Sequence, residues 1–219
     1  ALGDVVAEVE KLISEYHIPD GVDLEVGGTV EDQGDAFGDL GVLFILIVIL
    51  VYIVMATQFE SLLFPFIIMF TIPFAFTGVF LALWMTSTPL SLIALIGAIM
   101  LVGIVTKNGI VMVDYMNLLV ERGSGVFDAV IAGGKSRLRP VLMTSFTTIL
   151  GMLPLAIGTG AGSETWQPMG IAVIGGLTCS TLLTLFIIPA LYSVFVNRSQ
   201  RKEKEKLARL SAEHQASVH

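Results

Sequence analysis

Lys107 lies inside an apolar stretch long enough to cross a lipid bilayer, from Leu90 to Asn117. At about 1.5 Å of rise per helical residue, it is about 25 Å from one end of that stretch and about 15 Å from the other. A cation at such depth is unfavourable by about 3 kcal/mol, and ionisable groups inside membranes usually serve a function. No acid of this helix lies within one turn, and the other apolar stretches contain no charged residue. The pattern predicts a charge relay that includes Lys107, with an acidic partner outside this chain or outside its membrane core. The alternative is a structural lysine that pairs with a helix-end carbonyl or a neighbouring acid and has no role in turnover.

The same helix carries two further polar side chains that could join such a relay. Asn108 can both donate and accept a hydrogen bond, although amides of this kind also simply link helices. Asp114 shares the face of Lys107 but lies two turns away, near the end of the helix, as an acid at the membrane interface would. Both are secondary candidates beside Lys107.

A second group of candidates lies around Pro140, in the segment SRLRPVLMTS. Arg137 and Thr144 are seven residues apart, so they share a helix face if the helix continues back through Pro140. The Thr144 hydroxyl could bridge a lysine to a carboxylate, or it could bond back to its own helix. Lys135 and Arg139 are interpreted as basic anchors at the membrane surface.

The sequence contains no pattern typical of an enzyme, a metal site or a nucleic-acid-binding arm. Its three histidines, at positions 17, 214 and 219, lie in the predicted soluble ends, and no phosphate loop or Ser/His/Asp arrangement accompanies them. The single cysteine, Cys179, excludes a disulfide within the chain and is interpreted as a small buried hydrophobe. We therefore expect no enzyme activity, no cofactor, no metal and no nucleic-acid partner.

The composition is that of an integral membrane protein, whose first partner is the lipid bilayer. Apolar residues make up 54% of the 219 residues and charged residues 14%, against about 25% charged in soluble domains. Five apolar stretches are predicted to span the membrane, at residues 40–57, 62–85, 90–117, 140–157 and 169–196. Glycines that should allow close helix approach stand at positions 97, 103, 109, 151, 170, 175 and 176. The expected fold is an all-α membrane helix bundle, with kinks at Pro73, Pro154 and Pro189.

Residues 1–39 predict a small soluble segment before the first span. Residues 1–17 have the spacing of an amphipathic helix, residues 18–21 form a turn, residues 22–30 alternate like a strand, and residues 31–41 form an acidic connector. One helix and one strand cannot build a core alone, so this segment is interpreted as the remnant of a larger α+β domain. The chain is accordingly expected to be a fragment or a processed chain.

The distribution of charge predicts the topology. Residues 1–40 hold eleven acidic residues and one basic residue, Lys11, whereas the remaining basic residues other than Lys107 lie at 122, at 135–139 or beyond 197. With five spans, the loop 118–139 and the charged tail 198–219 fall on one side, which the positive-inside rule makes cytoplasmic. Within this loop, Phe127, Val130 and Ile131 indicate a surface helix. The amino terminus is then periplasmic, and the tail should begin as a helix and then lose order.

Several long motifs resemble one family of transporters. The segments MATQFESLLFPFIIMFTIPFAFTG, VGIVTKNGIVMVDYMN, SRLRPVLMTSFTTILGMLPLAIGTGAGSE and IIPALYSVF are similar to the carboxy-terminal end of resistance-nodulation-division (RND) transporters. The branch most similar is that of hydrophobe and amphiphile efflux pumps of the bacterial inner membrane. The likeness covers about residues 30–197, and residues 1–29 resemble the last helix and strand of the second periplasmic porter region.

The resemblance implies a role for each candidate residue. It places Lys107 opposite two adjacent aspartates of the amino-terminal half, and it places Arg137 and Thr144 in the same proton relay. It implies a proton antiporter that works as a trimer, takes its energy from the proton gradient, and exports hydrophobic compounds and drugs. It also implies docking of a periplasmic adaptor and an outer-membrane channel on the porter region.

Two functional hypotheses follow from the sequence. In the first, the chain is the carboxy-terminal part of a proton-driven efflux transporter and needs the missing amino-terminal half for transport. In the second, it is a non-transporting half-transporter that associates with copies of itself or acts as a structural or regulatory membrane subunit. Two copies would place one Lys107 against another, which is repulsive unless Asp114 or water intervenes.

Overall fold

The computed structural model describes residues 8–9, 11–13, 29–160 and 162–217, with side chains over 8–9, 11–13, 34–160 and 162–198. Residues 8–9 and 11–13 are helical, and within the longer ranges only helices and their connections occur. These helices are α1 (Thr29–Phe59), α2 (Leu63–Met69), α3 (Ile72–Met85), α4 (Leu92–Glu121), α5 (Val126–Ile157) and α6 (Ser163–Ser217). Five segments are long and apolar enough to cross a membrane. The predicted all-α membrane bundle of five spans is confirmed.

The first span begins earlier than the sequence predicted. Helix α1 starts at Thr29, so the predicted acidic connector 31–41 and the last two residues of the predicted strand, Thr29 and Val30, are helical. Once a helix has formed in the apolar segment, adding a residue at its end gains a hydrogen bond without a new nucleation step. The rest of that strand, the turn 18–21 and most of the helix predicted at 1–17 lie outside the described residues.

The long loop predicted at 118–139 is a short turn followed by helix. Helix α4 continues to Glu121, and α5 begins at Val126 and runs through Pro140 without a break. Val126 and Ala129 are buried, and the position of a Cβ on Gly133 lies 2.7 Å from the Met116 side chain. The surface helix that Phe127, Val130 and Ile131 indicated within this loop is therefore present, and apolar packing against α4 joins it to the fourth span as one continuous helix. Helix α6 likewise continues to Ser217, where the sequence predicted loss of order.

The second span is broken into α2 and α3 where the sequence predicted a kinked helix. Pro73 stands in the first turn of α3 and has no amide hydrogen for the carbonyl of Met69, four residues earlier. The hydroxyl of the buried Thr71 donates to the carbonyl of Ile68 at 2.6 Å. The Ile68 carbonyl also accepts from the backbone amide of Thr71 at 3.0 Å, so this acceptor beside the break has two donors.

Helix α6 lies at the centre of the bundle and packs against α3, α4 and α5. Helices α3 and α6 cross so closely that there is no room for a side chain at Gly175. A Cβ at this position would overlap Ala82 and lie 2.8 Å from the Gly78 carbonyl oxygen. Close approach is also found at the predicted positions 97, 109, 170 and 176, but positions 103 and 151 face open space. Helices α1 and α5 are peripheral, since only 6% and 11% of the residues in their most apolar segments are buried inside the protein.

Candidate functional site

Lys107 lies on the open face of α4. The opposite face is buried in the bundle and includes Val105, Thr106 and Gly109, which are close to Lys107 in the sequence. Lys107 itself is exposed in this chain, and it makes no hydrogen bond or ion pair with any residue that the structure describes. The exposed positions Ile96 and Met100 lie on the same face. The ammonium group is therefore presented on an apolar helix face with no acidic partner from the described part of this chain.

Asp114 does not provide that partner. It is exposed, as Lys107 is, and seven residues of helix separate the two Cα atoms by about 10 Å along the axis. Asp114 instead borders a cleft of about 270 Å³ together with Gln58, Phe59, Glu60, Asn117, Leu118 and Glu121. This cleft lies near the carboxy-terminal end of α4, and the interfacial role of Asp114 stays a prediction.

Arg137 is held against an aromatic ring. Its guanidinium carbon lies 4.5 Å from the centroid of the Tyr115 ring, which belongs to the neighbouring helix α4. The Arg137 Nε atom is buried and has no hydrogen-bond acceptor among the described residues. Sequence reasoning selected Arg137 but missed Tyr115, whose aromatic side chain near a span end has many ordinary explanations.

Thr144 bonds back to its own helix in this structure, and a bridging role of its hydroxyl stays a prediction. Its hydroxyl donates to the carbonyls of Pro140 at 2.8 Å and Val141 at 3.1 Å, and the side chain is exposed. The next residue, Ser145, is buried and shares a 2.8 Å hydrogen bond with Thr181 of α6. Ser145 and Thr181 were missed because hydroxyl side chains are common in membrane spans and have no special spacing here.

The packing of α4 against α5 places the candidates at similar depths. The two helices are antiparallel, Tyr115 contacts Arg137, and Met116 contacts Gly133. Counting along both helices from the Tyr115–Arg137 contact sets Thr144 level with Asn108, and counting from the Met116–Gly133 contact sets it level with Val105. Thr144 therefore lies within about one helical turn of the depth of Lys107, and Arg137 lies about two turns nearer the end of α4. Asn108 is half-buried.

The amino-acid sequence matches the AcrB/AcrD/AcrF family over residues 1–196. The chain belongs to the AcrB/AcrD/AcrF family. It is 38% identical over 199 residues to the swarming motility protein SwrC of Bacillus subtilis (strain 168), a match that covers 90% of this chain and 19% of SwrC. It is 36% identical over 206 residues to the multidrug resistance protein MdtC of Proteus mirabilis (strain HI4320), covering 94% of this chain and 20% of MdtC.

Other proteins that are similar to this chain are named for metal resistance or heavy metal efflux. It is 38% identical over 205 residues to the cobalt-zinc-cadmium resistance protein CzcA of Cupriavidus metallidurans (strain ATCC 43123 / DSM 2839 / NBRC 102507 / CH34), covering 93% of this chain and 19% of CzcA. A crystal structure of a heavy metal efflux pump superposes with a TM-score of 0.76 at 30% identity, covering 87% of this chain and 19% of the pump. The chain thus spans about a fifth of the length of the curated relatives it matches.

The family match confirms the resemblance to RND efflux transporters that the sequence motifs indicated. The match to MdtC agrees with the hydrophobe and amphiphile branch of the family, but CzcA matches as well. The comparisons therefore do not distinguish the branch to which this chain belongs. Among the residues that the structure describes, no three His, Cys, Asp or Glu side chains are grouped as a metal site would require.

Proposed function

We propose that this chain is the carboxy-terminal membrane segment of a proton-driven efflux transporter, in which Lys107, Arg137 and Thr144 form the lysine side of the proton relay. The supporting observation is the exposed position of Lys107 on an apolar face of α4. A buried cation needs an opposite charge, and a carboxylate on a helix packed against this face would supply it. Protonation of that carboxylate would release the ammonium group, and deprotonation would attract it again.

The family membership supports the assignment of cargo export to the assembled transporter. The resemblance implies that the porter region recognises the cargo. Relatives named for multidrug resistance and for metal resistance can therefore have similar membrane segments. We propose hydrophobic or amphiphilic compounds as the cargo, by analogy with MdtC. We also propose a trimer in the bacterial inner membrane that contacts a periplasmic adaptor and an outer-membrane channel.

The arrangement of charge supports the orientation that we propose. Arg122 directly follows α4, and Arg137 and Arg139 lie in the first half of α5, at one end of the bundle. The exposed Trp84 and Trp166 lie at the other end, as interfacial aromatic residues do. The basic end is cytoplasmic in this proposal, and the amino terminus is periplasmic.

The substitution Lys107→Met in the complete transporter tests the relay role. It keeps an unbranched side chain in the helix and removes the charge, so drug efflux and coupled proton uptake should both be lost at normal protein abundance. The matched control is Lys135→Met, which removes an exposed lysine at the basic end of α5 and should leave both activities near normal. Efflux that survives Lys107→Met would show that this lysine has no part in coupling.

A further inference from the structure

An aromatic ring of the neighbouring helix, Tyr115, is the group that contacts Arg137. Asp114 precedes Tyr115 directly on α4, yet it forms no ion pair with Arg137 in the described structure. The guanidinium lies instead over the ring of Tyr115, with 4.5 Å between its central carbon and the ring centroid. Its buried Nε has no acceptor among the described residues. Among the described residues, the Tyr115 ring is thus the group seen to attract the Arg137 guanidinium.

The chemistry of the two groups explains how such a contact can hold the arginine. The face of an aromatic ring carries negative electrostatic potential, which attracts a cation most strongly where water is scarce. A guanidinium is planar and weakly hydrated, so it stacks on a ring where an ammonium would not. The contact fixes the position of the guanidinium while leaving its N–H groups free to meet an acceptor.

We propose that Tyr115 is a positioning residue for Arg137, keeping the guanidinium against α4. This inference rests on the proposed role of Arg137 in the relay. Without the ring, the long side chain of Arg137 gains rotamer freedom, and its guanidinium no longer has one fixed position. An arginine without a fixed position is less available to the relay, which slows coupled transport without changing cargo recognition.

Two substitutions of Tyr115 distinguish the contribution of its aromatic ring from that of its hydroxyl group. Tyr115→Phe keeps the ring, whereas Tyr115→Leu keeps an apolar side chain but removes the ring. In the complete transporter, we expect Tyr115→Leu to lower the maximal rate of proton-coupled efflux about threefold to tenfold, the range that loss of a cation–π contact implies. The cargo concentration at half-maximal rate should not change. Tyr115→Phe should retain the normal rate, and so should the control Phe127→Leu, an exposed aromatic residue on α5.

A spectroscopic measurement tests the contact independently of transport. In the arginine-labelled full transporter, NMR resonances of the Arg137 side chain should carry a ring-current shift in the wild type and in Tyr115→Phe, and lose it in Tyr115→Leu. Rates are compared per folded trimer, so a folding defect does not imitate the effect. Normal rates in Tyr115→Leu, or equal loss in Tyr115→Phe and Tyr115→Leu, would overturn the positioning role. Normal rates in Arg137→Ala would instead reject the relay role of Arg137 in the proposed function.

Discussion

The side chains of Ser145 and Thr181 share a buried hydrogen bond of 2.8 Å that joins α5 to α6 at the depth of Thr144. Either hydroxyl can donate. Few residues in the most apolar segment of α5 are buried, so few contacts hold this helix in one orientation. The Ser145–Thr181 bond is one of the contacts that determine the rotation of α5 about its own axis. Thr144 follows the rotation because it is adjacent to Ser145 on the same helix. The orientation of a proposed relay residue thus depends on a hydrogen bond made by its neighbour.

The first prediction concerns this hydrogen bond. Ser145→Ala and Thr181→Val should each lower the free energy of unfolding by about 0.5–1.5 kcal/mol, the usual range for hydrogen bonds between membrane helices. The double variant should lose little more than either single variant, because the same bond is removed. Unfolding in mixed micelles measures both effects. Thr147→Val is the control, since the exposed Thr147 hydroxyl bonds only to Met143 of its own helix; strictly additive losses would argue against the pairing.

The second prediction concerns the close crossing of α3 and α6. Gly175→Ala should destabilise the bundle by about 1–3 kcal/mol, because the added methyl group would overlap Ala82 and press on the Gly78 carbonyl. Gly103→Ala should be neutral or stabilising, because nothing lies within 4 Å of its Cβ position and alanine favours the helix. Thermal aggregation of the purified membrane protein compares the two variants directly. Equal stability of both variants would show that the two helices do not approach so closely.

The third prediction concerns the hydroxyl of Tyr192. This buried side chain donates a 2.6 Å hydrogen bond to the Oδ1 atom of Asn117 on α4 and stacks on Phe64, with ring centroids 5.8 Å apart. Tyr192→Phe keeps the stacked ring and removes only the hydroxyl, so unfolding should become easier by about 1 kcal/mol. In the background of Asn117→Leu, where the acceptor is already absent, the same change should have much less effect. An identical loss in both backgrounds would contradict the bond.

The fourth prediction concerns membrane orientation. In a chain with Cys179→Ala, single cysteines replace Ser124 in the turn between α4 and α5, or Thr159 in the loop after α5. If the basic end is cytoplasmic, an impermeant maleimide added to spheroplasts should label the cysteine at position 159 and leave that at 124 unlabelled. Both should react after lysis, which verifies their accessibility. The reverse pattern would invert the proposed topology.

Much of the fold follows from the sequence because lipid restricts what an apolar segment can do. Backbone groups have no water to bond in the membrane core, so each long apolar stretch must be helical. The number of spans, the unusual position of Lys107 and the family motifs are all local properties of the chain. The sequence was less informative about helix ends, because whether residues 31–41 or 126–139 are helical depends on the apolar helices they extend and the surfaces they pack against.

A helical membrane chain, one lysine in its apolar core and a family of efflux transporters could all be predicted from the residues alone. The contacts between side chains of different helices became known from the folded structure. It places Arg137 on Tyr115 and Ser145 on Thr181, and it leaves Lys107 on an open face. Such contacts depend on the rotation and depth of neighbouring helices. Those quantities follow from side-chain packing over the whole interface, which no single stretch of sequence contains.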